Sequence, residues 1–223
     1  MEKIYLGDDK QGSRIELDFD EEKIKFILLI GKTGTGKSMF HRNLYKQLLE
    51  KYSSNEIGFV FLDNSMVDFG DWQSDYLMKS VIGNPKEAIK TLLELSEEKV
   101  NKRVFVHIEE CDMVYADRSR VESALMKIKD LKNVYIIYST SRIDREYLGD
   151  WMKHFIDLKV VFSVPTEDDS NFLIGNDKAN HFKSNGERVI VFNNKQILCQ
   201  PFKAAEAEIL SNFKLNCIAR NSI

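Results

Sequence analysis

Three clusters in this chain carry residue types and spacings that can do chemistry. The first is Gly31-Lys32-Thr33-Gly34-Thr35-Gly36-Lys37-Ser38. Glycines at 34 and 36 let the main chain curl so that successive N–H groups point inward, making an anion nest at the positive end of a following helix. Lys37 can reach the β- and γ-phosphates of a nucleoside triphosphate, and the Ser38 hydroxyl can ligate Mg²⁺. The pattern is that of a P-loop, with ATP and Mg²⁺ as the expected ligands and all eight residues as the binding set. The second cluster is Glu109-Glu110, directly after the apolar run Val104-Phe105-Val106-His107-Ile108. Two neighbouring acids at a strand end point to opposite sides, which suits two roles: Glu109 holds the metal, and Glu110 polarises the water that attacks the γ-phosphorus. His107, on the same apolar run, reads as a core or interface histidine. The third cluster is Thr140-Ser141-Arg142, a polar group closing another apolar run. At the carboxyl end of a parallel strand it faces the ligand crevice, so Thr140 and Arg142 are candidates to sense the γ-phosphate or touch a neighbouring subunit.

These residues need a scaffold of strands feeding helices, and the periodicity supplies one. Ile24–Ile30 has the length and β-branched content of a buried strand, and Lys37–Lys51 has helical spacing. Further strands are expected at Glu56–Leu62, Val104–Ile108, Asn133–Ser139 and Phe155–Phe162, with helices at Asn84–Asn101, Ser119–Leu131, Glu146–Lys153 and Asp168–Ile174. Ile4–Leu6 and Arg14–Phe19 flank a polar turn and predict a leading hairpin. Arg188–Phe192 and Gln196–Cys199 flank Asn193-Asn194-Lys195 and predict a closing one. Phe202–Leu215 reads as a final amphipathic helix packed on the sheet through Ala204, Ala207, Ile209, Leu210 and Phe213. The segment Met66–Gly83 has no clear period.

The chain has 223 residues, 43% hydrophobic and 11% aromatic, enough for one α/β domain with a substantial core. We expect a single unit over 1–223: the leading hairpin to residue 22, a nucleotide-binding core over 23–163, and a carboxy-terminal helix, hairpin and helix over 164–223. A formal charge of −3 argues against a protein that coats nucleic acid through overall basicity, but not against a local basic pore. Cys111, Cys199 and Cys217 lack metal-ligand spacing and suit a reducing compartment. No apolar run approaches the roughly 20 residues that span a bilayer, and Met1-Glu2-Lys3-Ile4 lacks a signal-peptide pattern. The expectation is a cytoplasmic protein with no membrane span, at most docked on a membrane-anchored partner.

In order along the chain, these signals resemble the FtsK/SpoIIIE-type DNA translocase motors of the FtsK/HerA group of P-loop ATPases. Ile27–Ser38 resembles the family's Walker A phrase. Phe61-Leu62-Asp63-Asn64-Ser65-Met66-Val67-Asp68-Phe69 resembles its second-strand phrase, in which Asp-Pro-Lys precedes an acidic-aromatic pair. Ile82–Ala88 resembles the start of its next helix, and Tyr138-Ser139-Thr140-Ser141-Arg142 its Ala-Thr-Gln-Arg strand end. Ser65, Glu109 and Ser141 stand where the family has Lys, Asp and Gln. The family's amino-terminal membrane segment and carboxy-terminal winged helix have no counterpart in these residues.

The resemblance implies a RecA-like (ASCE) P-loop NTPase fold, a mostly parallel sheet flanked by helices with small hairpins at both ends. It further implies an ATP-hydrolysing motor that binds ATP between subunits of a homo-oligomer, a hexameric ring, and threads double-stranded DNA through it. Lys178, Lys183 and Lys195 are candidates to grip the phosphate backbone, and Arg118, Arg120, Arg142 and Arg145 to reach a neighbour's γ-phosphate. Two other readings stay open. A similar motor serving secretion would engage protein cargo, and a weakly hydrolysing assembly protein would use ATP to stabilise a ring.

Overall fold

The structure is a computed structural model that describes residues 1–97, 100–110, 116–211 and 213, apart from the side chains of residues 152 and 153. Cys111, Cys217 and the expected end of the last helix lie outside the described residues. β1 (Ile4–Asp8) and β2 (Arg14–Leu17) form the leading antiparallel hairpin. Then follow β3 (Phe26–Ile30), α1 (Lys37–Lys51), β4 (Ile57–Asp63), α2 (Pro85–Glu97), β5 (Arg103–Glu109), α3 (Arg118–Asp130), β6 (Val134–Thr140), α4 (Arg145–His154), β7 (Leu158–Val161) and α5 (Glu167–Ile174). A 3₁₀ turn at Lys178–His181 leads to β8 (Arg188–Phe192), β9 (Lys195–Cys199) and α6 (Ala204–Ser211).

Among the described residues, seven strands form one sheet in the order β4-β5-β6-β3-β7-β8-β9. The first five are mutually parallel, β8 pairs antiparallel with β7, and β9 pairs antiparallel with β8. The predicted closing hairpin is therefore not an appendage: β8 pairs with β7 and continues the central sheet. Because β6 lies between β3 and β5, the carboxyl ends of all three strands sit side by side, bringing the glycine loop, Thr140 and the two acids to one edge.

The parallel strands read as continuous apolar runs because both of their faces are covered. Phe26, Leu28 and Ile30 face a core shared with Leu92, Val121, Leu125 and Trp151 from α2, α3 and α4. Ile27 and Leu29 face the other way, toward Phe40, Leu44 and Leu48 of α1 and toward Ile4 and Leu6 of β1. The aperiodic stretch after β4 belongs to this second core. Phe69, Trp72 and Tyr76 are buried, and Phe61 stacks on Phe69 at 4.4 Å between ring centroids. The same stretch covers the outer edge of β4: Phe59 N–H donates to Tyr76 O at 2.8 Å, and Asp63 N–H to Ile82 O at 3.0 Å. The last helix differs from expectation, because α6 lies against α1 rather than the sheet; Leu210 is buried while Ile209 is 56% exposed. Among the described residues no helix is long and apolar enough to cross a membrane.

Asp20 ties the turn after the leading hairpin to the sheet. It accepts hydrogen bonds from the Met1 amino group at 2.8 Å, from Arg103 Nη2 at 3.1 Å and from the Tyr135 hydroxyl. Burial pushes its carboxyl up, but these donors overcome that and hold it down at about 2, against an ordinary 3.8. A carboxylate depressed in the folded state contributes stability that is present above its unfolded pKa and is lost as pH falls toward its folded one. Asp20 keeps 34% of its side chain in water, so solvent screening reduces the contribution to about 1 kcal/mol. Asp20→Asn is expected to lower the melting temperature by roughly 2–4 °C at neutral pH. The gap between variant and parent should close in thermal scans run from pH 4 to 2; a gap unchanged across that window would remove Asp20 from the account.

Candidate functional site

The loop between β3 and α1 takes the shape its glycines were expected to allow. Gly34 has φ +79° and Gly36, which caps α1, has φ +114°, both in the region where a side chain is strained. Gly36 is also closed in sterically, since a Cβ there would lie 3.0 Å from Cα of Gly186. Thr35 is buried, and its hydroxyl donates to Lys32 O at 2.6 Å, bracing the loop internally. Lys37 is 7% exposed, and its ammonium donates to Gly31 O at 2.8 Å and Lys32 O at 3.3 Å. Burial pushes the Lys37 pKa down, while Glu110, Glu109 and Asp68 pull it up without fully compensating. A buried cation resting on main-chain carbonyls, with an anion nest beside it, is poised to exchange those weak acceptors for phosphate oxygens.

The loop opens on a cleft of ≈ 360 Å³, lined also by Ser65, Val67, Asp68, Glu109 and Glu110. The loop and both acids, far apart in sequence, therefore meet in one place. Their carboxylates diverge as the strand pleat predicts, with an added turn of the backbone. Glu109 extends toward the α1 side of the sheet, where its Oε2 accepts from His107 Nε2 at 2.7 Å. His107 is fully buried, and its Nδ1 lies 2.5 Å from the Tyr45 hydroxyl. One tautomer satisfies both contacts, with Tyr45 donating to Nδ1 and Nε2–H donating to Glu109. Burial raises the Tyr45 pKa well above its ordinary value, so the phenol keeps its proton. Glu110 instead has φ +41°, which turns its side chain toward the end of β6. Its carboxylate accepts from Thr140 Oγ1 at 3.1 Å and from the Ser141 N–H at 2.5 Å. Thr140 thus contacts the proposed water-activating acid directly. Arg142 is exposed, and its backbone N–H donates to Thr140 Oγ1 at 3.0 Å.

Several residues at the site have roles that the sequence does not assign. Asp63, fully buried at the end of β4, folds the next turn around itself: Oδ1 accepts from Ser65 N–H, Ser65 Oγ and Met66 N–H at 3.0, 2.6 and 3.1 Å. Its Oδ2 accepts from the Asp68 and Phe69 N–H groups, both at 3.3 Å. That turn delivers Asp68 to the cleft, where its Oδ2 accepts from Ser38 Oγ at 3.3 Å. A strand ending in Asp-Asn-Ser signals such a turn, but only the folded chain sets it against Ser38. Gly186 donates its N–H to Thr35 O at 2.8 Å, making part of the loop's far wall. Arg188 locks that wall in place. Fully buried, it donates to Gly186 O at 2.8 Å, Gln200 O at 2.9 Å and Leu6 O at 2.6 Å. His41 on α1 is also fully buried, with neither ring nitrogen partnered. Burial, reinforced by His107, Arg42 and Lys37, pushes its pKa well below the ordinary value and keeps it neutral. An unsatisfied buried polar group costs about 1–3 kcal/mol. Cys199 is the free thiol among the described residues; burial pushes it up to about 11, so it is inert as a nucleophile.

Comparisons with known proteins identify the family and the fold. The FtsK/SpoIIIE family model matches residues 3–175. The DNA translocase FtsK of Listeria monocytogenes is 21% identical over 228 residues, covering 85% of this chain and 30% of that protein. The DNA translocase FtsK of Mycobacterium leprae is 31% identical over 96 residues, covering 43% of this chain and 11% of that protein. Among solved structures, the cytoplasmic domain of the Thermomonospora curvata type VII secretion ATPase EccC superposes with a TM-score of 0.73 at 17% identity, covering 89% of this chain and 28% of that one. The pCW3 conjugation coupling protein TcpA, solved with ATPγS, superposes with a TM-score of 0.71 at 18% identity, covering 94% of this chain and 70% of that one. The likeness to these structures establishes the fold, and the chain spans about 30% of the length of its Listeria relative. With the family model matched over residues 3–175, most of this chain, the chain belongs to the FtsK/SpoIIIE family of P-loop ATPases.

Proposed function

We propose that this chain is the ATP-hydrolysing motor of a translocase that moves double-stranded DNA through a homo-oligomeric ring. The observation that carries the reading is the convergence of Lys37, Ser38, Asp68, Glu109 and Glu110 on one cleft in a chain of this family. The main chain of Gly31–Ser38 cradles the phosphates, and Lys37 leaves its carbonyl acceptors to bind the β- and γ-phosphate oxygens. The donors facing the cleft are hydroxyl and carboxylate oxygens from Ser38, Asp68 and Glu109, a set that suits a hard cation such as Mg²⁺. Mg²⁺, when bound with ATP, neutralises charge on the β- and γ-phosphates. His107 holds Glu109 in one orientation for that role. Glu110 accepts the proton of the attacking water, and Thr140 sets where its carboxylate waits between turnovers. Arg142, exposed beside Thr140, is suited to contact a neighbouring subunit, with ATP bound at the junction.

Lys178, Lys183 and Lys195 are exposed and suit a non-specific grip on the DNA backbone. Steady-state ATP hydrolysis measured with and without linear duplex DNA, over a salt series, tests the reading. DNA is expected to stimulate turnover severalfold at low salt and to lose that effect as salt rises, because each neutralised phosphate releases counterions. The net charge of −3 favours a second reading, protein cargo, and turnover indifferent to DNA at every salt concentration would select it.

A further inference from the structure

His41 and the pair His107–Glu109 form a cluster that the nucleotide chemistry leaves half used. Glu109 has a place in the cleft, whereas His41 faces away from solvent with both ring nitrogens unpartnered. The three side chains are buried, and one ligand atom from each lies within 4.8 Å of the other two. We infer that His41, His107 and Glu109 form a second metal site, beneath the nucleotide cleft, for a divalent transition ion of the Zn²⁺ class.

The donor chemistry selects that class. Two imidazoles and one carboxylate suit Zn²⁺ or Co²⁺, whereas Mg²⁺ takes oxygen ligands and keeps several waters. The geometry is close to what such an ion needs. Tetrahedral coordination with bonds of about 2.0–2.1 Å puts donors roughly 3.3 Å apart. His107 Nε2 and Glu109 Oε2 are 2.7 Å apart and would open slightly around an ion. The ring of His41 stands at 89° to that of His107, with centroids 4.9 Å apart, and the donors, within 4.8 Å of one another, must draw together by up to about 1.5 Å around an ion. Three protein ligands and one water would complete four-coordination.

The surroundings are those of a metal-binding histidine. Such a residue has its other ring nitrogen held by an outer partner that fixes the ring, and the Tyr45 hydroxyl does this at Nδ1 of His107. On metal binding the ring takes the other tautomer: Nε2 gives up its hydrogen to ligate, and Nδ1–H donates to the Tyr45 oxygen. Lys37 and Arg42 are the cations that act on His41, while Asp68, Glu109 and Glu110 surround Lys37 with negative charge. An ion here draws Glu109 inward and away from the nucleotide. The two metal sites share one acid, so the inner ion competes with the use of Glu109 in the cleft.

Titration of the nucleotide-free protein with Co²⁺, followed by visible absorption and equilibrium dialysis, tests the site without calling on ATPase activity. We expect one Co²⁺ per chain, with the intense visible bands of a four-coordinate ion, displaced by Zn²⁺ and unaffected by excess Mg²⁺. His41→Phe retains a ring against Tyr45 and Phe69 and should abolish the bands. Tyr45→Phe preserves the aromatic packing, removes only the outer partner, and should weaken binding roughly 10-fold. A spectrum that stays that of the aquo ion at one equivalent overturns the inference. So does four-coordinate binding that survives His41→Phe, since the ligands would then lie elsewhere. The spectrum of the unmodified protein decides the first point even if a core variant fails to fold.

Discussion

Lys37→Ala is expected to yield a folded protein whose ATP turnover is reduced about 100- to 1,000-fold, the scale of removing a preorganised donor from a water-excluded site. Two opposing effects limit the structural cost. The substitution deletes charge-assisted hydrogen bonds to Gly31 O and Lys32 O. It also removes a cation whose pKa is pushed down by burial. A bond to a charged group is worth about 1.5–3 kcal/mol and relief of the buried charge offsets part of it, so the melting temperature should move by less than about 4 °C. Nucleotide affinity, read by titration with a fluorescent ATP analogue, should fall with turnover. Unaltered binding and hydrolysis in a folded Lys37→Ala protein would sink the assignment of the loop as the phosphate site.

Glu110→Gln separates chemistry from binding. The amide keeps the length of the side chain, and its oxygen can still accept the Ser141 N–H that the carboxylate accepts at 2.5 Å. What it loses is the ability to take a proton from water. General-base catalysis contributes typically 10²–10⁴-fold, so turnover should fall by about 10³ while ATP affinity stays within a few-fold of the parent. The variant should hold ATP unhydrolysed, which chromatography of the nucleotide extracted from it would display. Near-normal turnover would place the base elsewhere and leave Glu110 only as an anchor for the end of β6.

How much of this was legible in the sequence depended on whether the information was local. The loop 31–38 combines a buried strand, glycines and a helix in one short stretch, and the strands carrying Glu109 and Thr140 are apolar runs that end in polar residues. Met66–Gly83 had no readable period because its shape comes from elsewhere. Asp63 turns the chain, Phe69 and Trp72 insert into rings contributed by α1 and β4, and the edge of β4 takes the rest. The closing hairpin was legible as a hairpin, but its pairing with β7 joins strands whose patterns carry no mutual address. Arg188 reads as an ordinary strand residue, since only Gly186 among its three acceptors is near it in sequence, while Gln200 O and above all Leu6 O are brought to it by the fold. His41 read as one more position on the P-loop helix until the fold set it at 4.9 Å from His107.

The contact between Gly186 and Thr35 bears on how the chain comes to be competent at all. The loop that opens the nucleotide cleft leaves the ribosome about 150 residues before Gly186, the residue beyond the matched family segment, ending at 175, that supplies a wall of that loop. Until β8 has been synthesised and has found β7, Gly36 lacks the glycine it packs against and Arg188 cannot join β1 to the wall. Pairing so distant in sequence closes slowly relative to local structure. A fragment cut at the end of the matched segment would carry every residue of the phosphate loop without its finished shape, so nucleotide binding should be acquired only after β8 and β9 have emerged and should serve as a readout that they have docked.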